Sequence, residues 1–339
     1  MSGVVTNRKT PSSTTSATEE LVPDSPPASV PTTKAALKPP PEEEEEQIGL
    51  VASLVTVALV ALSPTWCQVL AFLTNSKQFD DAHCNVTDGD GNQALGPCPR
   101  TASGLVEFYA SKYGSLPMGG FKDFYVDMIS EAASDIWPAI YFLLAFNGLA
   151  LLLYWWRGSV AEIKYGPITP KGARPDYIDN GVAHCILFSL IFLGASDLST
   201  VFGLSDYVQT LGLFPLSVIF DHFQGIVLTL NVFGLLFCVF LYFKGQIAPS
   251  GPDSGVTGNG VLFDYYWGTE LYPRIFGVDV KRFVNCRFSM TFWMLAGLSF
   301  TAASVNQTGV GNWEAMKPGL FFTALSQFIY LGKFFWWEI

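Results

Sequence analysis

The chain has 339 residues, half of them Ala, Val, Ile, Leu, Met, Phe, Trp, Tyr or Cys, and only 14% are charged. Soluble proteins carry ~25% charged residues, so too little polar surface remains to cover a globule in water, and the composition points to a bilayer. The net charge of -10 says little about the membrane part, because residues 1–46 alone hold eight acids against four bases. There is also no basic patch or stripe, which argues against nucleic acid as a partner.

Residues 1–47 are rich in Pro, Ser, Thr and Glu and close on the run Glu42 to Glu46. Lacking apolar periodicity, they cannot offset chain entropy and are expected to form a disordered acidic tail. No apolar stretch lies near Met1, so the first hydrophobic segment is expected to act in targeting. A membrane-crossing helix needs ~20 mostly apolar residues. The stretch 48–73 is the first candidate, with Pro64 expected to kink it. The stretch 136–156 is the second: Pro138 suits a first helical turn, and Tyr154, Trp155 and Trp156 followed by Arg157 read as an interfacial belt with a basic stop. The third, 181–202, is weakened by Asp197. The run 211–243 is too long for one crossing and contains Asp221-His222, so it divides into a short apolar approach and a crossing over 223–243. Stretches 288–305 and 319–337 bring the set to about six crossings. The expected fold class is all-α, a polytopic transmembrane helical bundle over 48–339 with a disordered N-terminal tail.

Lys and Arg in short loops set orientation. The 157–180 loop carries Arg157, Lys164, Lys171 and Arg174, and the 244–287 loop carries Lys244, Arg274, Lys281, Arg282 and Arg287, whereas 203–210 has none. These two loops and the tail are expected in the cytosol, and the 74–135 and 306–318 loops in the lumen. The sequons Asn85-Val86-Thr87 and Asn306-Gln307-Thr308 fall on the lumenal side. So do Cys84 and Cys98, where an oxidising compartment favours a disulfide. Cys67, Cys185 and Cys238 sit in apolar runs and behave as small hydrophobes. With no C-x-x-C pair and no cysteine-histidine cluster, no metal site is expected.

Phosphate-binding glycine loops, nucleophile elbows and zinc-protease motifs are absent. His184, within an apolar run, reads as a packing residue. Asp221-His222 stands out, because an ionisable pair at membrane depth is costly and needs a partner. The richest segment is 244–287, where a Gly, Pro, Ser and Asp turn precedes an aromatic run bearing Asp264, Glu270 and Arg274. Two readings fit it: an interfacial helix with Glu270 and Arg274 as an i,i+4 pair, or a ligand site. Pattern alone favours the helix.

Gly260, Asp264, Tyr266, Gly268, Leu271, Pro273 and Arg274 fit the signature G-x-x-[LIVM]-Y/H-D-x-F/Y-x-G-x-x-L-N-P-R, with one residue fewer between Gly260 and Asp264 and with Tyr272 in place of its Asn. Further blocks are Tyr165-Gly166-Pro167, Asn180-Gly181, Asp221-His222, Lys244-Gly245, Asn285-Cys286-Arg287 and Lys333-Phe334-Phe335-Trp336-Trp337-Glu338. Through these, residues 48–339 resemble the sterol reductase family and its Δ7-reducing branch; the 74–135 loop looks like an insertion.

The resemblance implies a reductase of the endoplasmic reticulum membrane that uses NADPH and takes a sterol from the bilayer, in contact with membrane lipids. The Δ7 branch saturates the 7,8 bond of Δ5,7-sterols. Δ14 reduction is the alternative within the family, and non-catalytic sterol binding the alternative outside it. An isolated alkene accepts hydride poorly, so a proton must arrive with it. Tyr330 is the leading candidate for that acid, as a buried phenol donates a proton without first carrying charge, and Glu270 is the second catalytic candidate. Asp264, Tyr266, Arg274, Asn285 and Arg287 are the candidate substrate-binding residues. Family members continue past Glu338-Ile339, so the chain reads as an incomplete fragment whose NADPH contacts lie in the further stretch.

Overall fold

The computed structural model describes residues 42–77, 83–87, 93–97, 102–114, 118–156, 162–169, 171–198, 210–256, 260–306 and 318–337. The chain divides into Met1–Glu45 and Glu46–Ile339. In the first unit only the helical residues 42–45 are described, and the rest of the predicted tail lies outside the described residues.

Helix α1, Glu42–Asn75, starts within the acidic run expected to belong to the tail. Pro64 lies inside α1 and removes one ladder hydrogen bond, and side chains reinforce that turn. Thr65 Oγ1 donates to the Ala61 carbonyl at 2.8 Å and Asn231 Nδ2 to the Pro64 carbonyl at 3.0 Å. The strands β1, His83–Thr87, and β2, Gln93–Pro97, then pair antiparallel with Cys84 opposite Gly96. Cys98 and residues 307–308 lie outside the described residues, and with them the predicted disulfide and part of the second sequon.

Helices α2, Ala102–Tyr113, and α3, Met118–Ser134, lead through the single residue Asp135 into α4, Ile136–Trp155. The antiparallel strands β3, Glu162–Tyr165, and β4, Asp176–Asp179, precede α5, Gly181–Ala195. The third crossing stops at Ala195 rather than 202 because Ser196–Asp197 (β5) leaves the helix to pair with Phe214–Pro215 (β6). Short helix α6, Val218–Asp221, and long α7, Phe223–Ile247, are separated at His222, the break expected from Asp221-His222. After α8, Val261–Trp267, the two-residue strands β7, Arg274–Ile275, and β8, Val278–Asp279, lead into α9, Val280–Arg282. A π-helical stretch, Phe283–Ser289, continues into α10, Met290–Asn306, and α11 spans Pro318–Trp337.

Among the described residues, four helical segments are long and apolar enough to cross a membrane: Ser53–Asn75, Ile136–Trp155, Phe223–Ile247 and Val280–Val305. Apolar α5 has 15 residues and α11 has 20. The core is aromatic where α4, α5 and the α10 segment meet: the Phe146 ring lies 4.4 Å from Phe188, 5.8 Å from Phe288 and 5.6 Å from Phe292, centroid to centroid. Buried Cys185, Met294, Leu331 and Phe335 seat α11 against α5 and α10.

Two helix joints clasp each other at the end of the bundle where α7 begins. His222 Nδ1 stands 2.9 Å from Asp135 Oδ1, which supplies the partner that Asp221-His222 was expected to need. A Cβ at Gly225 would lie 2.5 Å from the Asp135 carbonyl oxygen, so the two backbones meet only because this residue is glycine. Beside the clasp, Glu131 accepts from Ser76 Oγ and Gln224 Nε2, each at 2.8 Å, and from the Lys77 N–H.

The hydrogen bond to Asp135 raises the pKa of His222 against the opposing effect of burial, with Asp221 adding to the rise and Lys77 opposing it. A raised histidine pKa gives stability that is complete below the ordinary imidazole range and is lost as pH rises through the raised value. The Tm of the chain in detergent is therefore expected to fall between mildly acidic and mildly alkaline pH, and Asp135→Asn is expected to flatten that slope. An unaltered slope in the Asn variant would exclude His222 as the titrating group.

Candidate functional site

Gly260 and Gly268 bracket α8 with φ of 96° and 90°, conformations that L side chains rarely adopt. The helix thus stops at Trp267, and Glu270 and Arg274 follow in a turn. The i,i+4 pair expected from their spacing does not form, and each finds a partner far away in sequence.

Glu270 is buried and places Oε2 2.8 Å from Lys244 Nζ on the last turn of α7. Its Oε1 accepts the Ser250 N–H and, at 3.5 Å, the Ser254 hydroxyl. Lys244 also donates to Ser250 Oγ at 2.6 Å and to the Ala248 carbonyl at 3.2 Å. The glycine after Lys244 is required by the same approach, since a Cβ at Gly245 would stand 2.1 Å from Thr269 Oγ1. Burial alone would raise the pKa of Glu270, but the Lys244 ammonium and the Ser250 N–H outweigh it and bring the carboxyl below its ordinary range. At neutral pH Glu270 is a fixed anion.

Arg274 donates from one terminal nitrogen to Asp176 Oδ1 at 2.8 Å and to the Asp176 carbonyl, and this guanidinium holds the Asp176 carboxyl below its usual range. The Arg274 N–H reaches Ser250 Oγ at 2.8 Å, so Ser250 joins Glu270 to Arg274. The Lys171 N–H donates to Asp253 Oδ1 at 3.0 Å. These bonds latch the 162–176 segment onto the 250–274 segment, leaving a cleft of about 190 Å³ lined in part by Thr169, Asp176, Asp253, Tyr272 and Arg274.

Arg287 lies fully buried in the π-helical stretch, whose widened turn suits the insertion of a large side chain. Its Nε donates to Asn180 Oδ1 at 3.2 Å and a terminal nitrogen to the Ile178 carbonyl at 3.5 Å. Asn180 donates in turn to the Leu153 and Tyr154 carbonyls. Tyr154, expected in an interfacial belt, is buried and accepts the Asp279 N–H at its hydroxyl at 3.4 Å. Trp155 and Trp156 are exposed as the belt requires.

The remaining candidates are dispersed. Asp264 is buried on α8, while Tyr266 on the same helix and Asn285 on the π-helical stretch are exposed. Tyr330 is 57% exposed rather than buried as the acid role led one to expect, because the opposite face of α11, through Leu331 and Phe335, faces the core. Its ring lies 6.2 Å from that of Trp293. Both border an open groove of about 500 Å³ shared with Phe322, Thr323, Ser326 and Gln327. Thr323 and Ser326 donate their hydroxyls to the Gly319 and Phe322 carbonyls of their own helix, which leaves the Tyr330 hydroxyl as the one along this groove without a backbone acceptor among the described residues.

Reasoning from sequence passed over Lys244, Ser250, Asp176, Asn180 and Tyr154 as site residues. The Lys244-Gly245 pair carried the available signal, a polar residue next to a glycine that permits close approach. A dinucleotide needs free cations or a glycine-rich helix N-terminus for its phosphates. Lys164, Lys244 and Arg274 are each committed to a carboxylate of this chain, so this network does not by itself fit NADPH.

Comparison with known proteins adds an independent line. Residues 132–338 match the family described as Ergosterol biosynthesis ERG4/ERG24. The 7-dehydrocholesterol reductase of Arabidopsis thaliana is 34% identical over 203 residues, covering 60% of this chain and 41% of the relative. The Delta(14)-sterol reductase of Methylotuvimicrobium alcaliphilum is 34% identical over 174 residues, covering 51% and 36%, and that of Schizosaccharomyces pombe is 28% identical over 162 residues, covering 48% and 35%. The chain thus spans well under half the length of these curated relatives. With the signature residues 260–274 folded into α8 and the ion-paired turn that follows it, and the family match running from α3 to the end of α11, the chain belongs to the ERG4/ERG24 family of sterol reductases.

Proposed function

We propose that the chain forms part of an endoplasmic reticulum reductase that saturates the 7,8 double bond of Δ5,7-sterols with NADPH, its N-terminal tail in the cytosol. The carrying observation is the 34% identity, over 203 residues, to a relative named 7-dehydrocholesterol reductase. Within the family-matched residues 132–338, Glu270, Lys244, Ser250, Arg274 and Asp176 form one connected network. The equal identity of a Delta(14)-sterol reductase over 174 residues favours Δ14 reduction as the second reading.

In this proposal a sterol entering from the bilayer lies along the open groove against Trp293 and Phe322, and Tyr330 gives the proton that accompanies hydride to the alkene. Glu270, ionised and held by Lys244, fixes the turn that presents Asp264, Tyr266 and Arg274, while Arg287 and Asn285 shape the pocket from the α10 segment. NADPH supplies the hydride when bound; none of the residues described is assigned to it.

The test joins this chain to the part of the Arabidopsis thaliana relative beyond the matched region, in cells that accumulate Δ5,7-sterols. Loss of the conjugated Δ5,7-diene absorption is the expected result. Loss of a Δ14 double bond with the Δ5,7-diene retained would move the assignment to the second reading, and sterol retained without reduction of either bond would defeat both.

A further inference from the structure

The segment between the first two crossings carries a surface that the reductase reading does not use. Its helix α3 is fixed in rotation on one side. Phe124 packs edge-on against Phe72 at 5.2 Å and against Tyr113 at 5.4 Å. Asp127 accepts from the Tyr113 hydroxyl at 2.8 Å and pairs with Lys112 at 2.9 Å. Met128 and Ala132 are buried, and Glu131 is tied to Ser76 and Gln224.

Much of what remains on the outside is apolar. Phe121, Val126 and Ile129 are 55%, 56% and 44% exposed, and the Tyr125 ring stands 4.6 Å from that of Phe121. Phe121, Tyr125 and Ile129 recur every four residues, and Val126 and Ala133 widen the stripe on the same side. The polar exposed positions Asp123 and Ser130 fall to one edge of it. Lys122 lies inside the stripe, where a long stem can run along apolar surface and carry its ammonium to the headgroups.

Continuity identifies the occupant. Only Asp135 separates α3 from the crossing helix α4, whose first turns expose Trp137 and Tyr141. Phe72, against which α3 packs, is buried on α1, whose other side carries the exposed row Leu62, Trp66 and Leu70. Tryptophan and tyrosine collect where a crossing helix leaves the hydrocarbon, so the α3 stripe adjoins a bilayer-facing surface at headgroup level. A helix held against the protein on one face and apolar on its outer face lies flat in that zone.

We propose that α3 is an interfacial membrane helix, with Phe121, Tyr125, Val126 and Ile129 inserted among lipid headgroups and upper acyl chains. The proposal is independent of the reductase assignment.

To test it, the whole chain, its six cysteines replaced by alanine, is labelled with an environment-sensitive fluorophore at V126C, I129C, D123C or S130C and placed in phosphatidylcholine vesicles containing lipids with a shallow doxyl group. In parallel, a photoreactive phenylalanine derivative at position 121 or 125 reports neighbours in the otherwise native chain, whether or not the cysteine-free chain folds. Quenching several-fold stronger at 126 and 129 than at 123 and 130, with lipid adducts from 121 and 125, is expected. Uniformly weak quenching with water-like emission overturns the proposal. So does a blue-shifted, unquenched fluorophore with protein adducts, which would put a second copy or another polypeptide on this face.

Discussion

Arg287→Met is expected to destabilise the chain in detergent by about 2–4 kcal/mol, because a buried acceptor and a part-buried one lose a charged donor at once and an unsatisfied buried polar group costs ~1–3 kcal/mol. Asn180 Oδ1 and the Ile178 carbonyl are the acceptors named by the geometry. Methionine returns part of the loss by apolar packing, as when a buried ionic group is exchanged for hydrophobic residues. Arg287→Lys keeps the charge but not the fork that reaches both acceptors, and is expected to be at least as damaging as Met. Because Asn180 also holds the carbonyls that end α4, Asn180→Ala should be strongly non-additive with Arg287→Met. Thermal unfolding of the native chain, the three single variants and the double variant followed by tryptophan emission checks this; a Tm for Arg287→Met within error of the native chain, or simple additivity, contradicts it.

Much of the architecture was legible because the bilayer imposes a length. The run 136–156 became Ile136–Trp155, and the split of 211–243 fell where Asp221-His222 interrupts the apolar pattern. What escaped depends on contacts remote in sequence. The end of α5 is set by pairing of Ser196–Asp197 with Phe214–Pro215, which no local pattern announces. Spacing offered Glu270 to Arg274, yet Gly268 at φ 90° breaks the helix that such a pair needs, and Lys244 takes the carboxylate instead. Tyr154 and Trp155 are neighbours, but about 100° of helical rotation turns one to the core and the other outward. The same difficulty hid the orientation of Tyr330. α11 is apolar around most of its circumference, and in such a helix periodicity does not reveal the buried face. Leu331 and Phe335 take the core, leaving Tyr330 on the groove.

That exposure makes Tyr330→Phe a sharper test of the proposed chemistry than it would be for a buried residue. Tyr330 is 57% exposed, and its hydroxyl has no hydrogen-bond acceptor to lose among the described residues. Phenylalanine keeps the ring beside Trp293, so insertion and Tm should be unchanged. If the phenol is the acid, turnover of Δ5,7-sterol by the chain joined to the remainder of its relative should fall about 10²–10⁴-fold, the usual worth of a positioned proton donor. Sterol binding should persist, since the apolar walls formed by Trp293 and Phe322 are untouched. Ser326→Ala is the matched control: its hydroxyl already bonds the Phe322 carbonyl and gives no proton to a substrate, so its rate should stay near that of the parent. Near-parental turnover in Tyr330→Phe would remove Tyr330 from the mechanism. Glu270 could not readily inherit the role, since the groups that stabilise its carboxylate also keep it ionised, and the acid would then have to be sought outside the residues described.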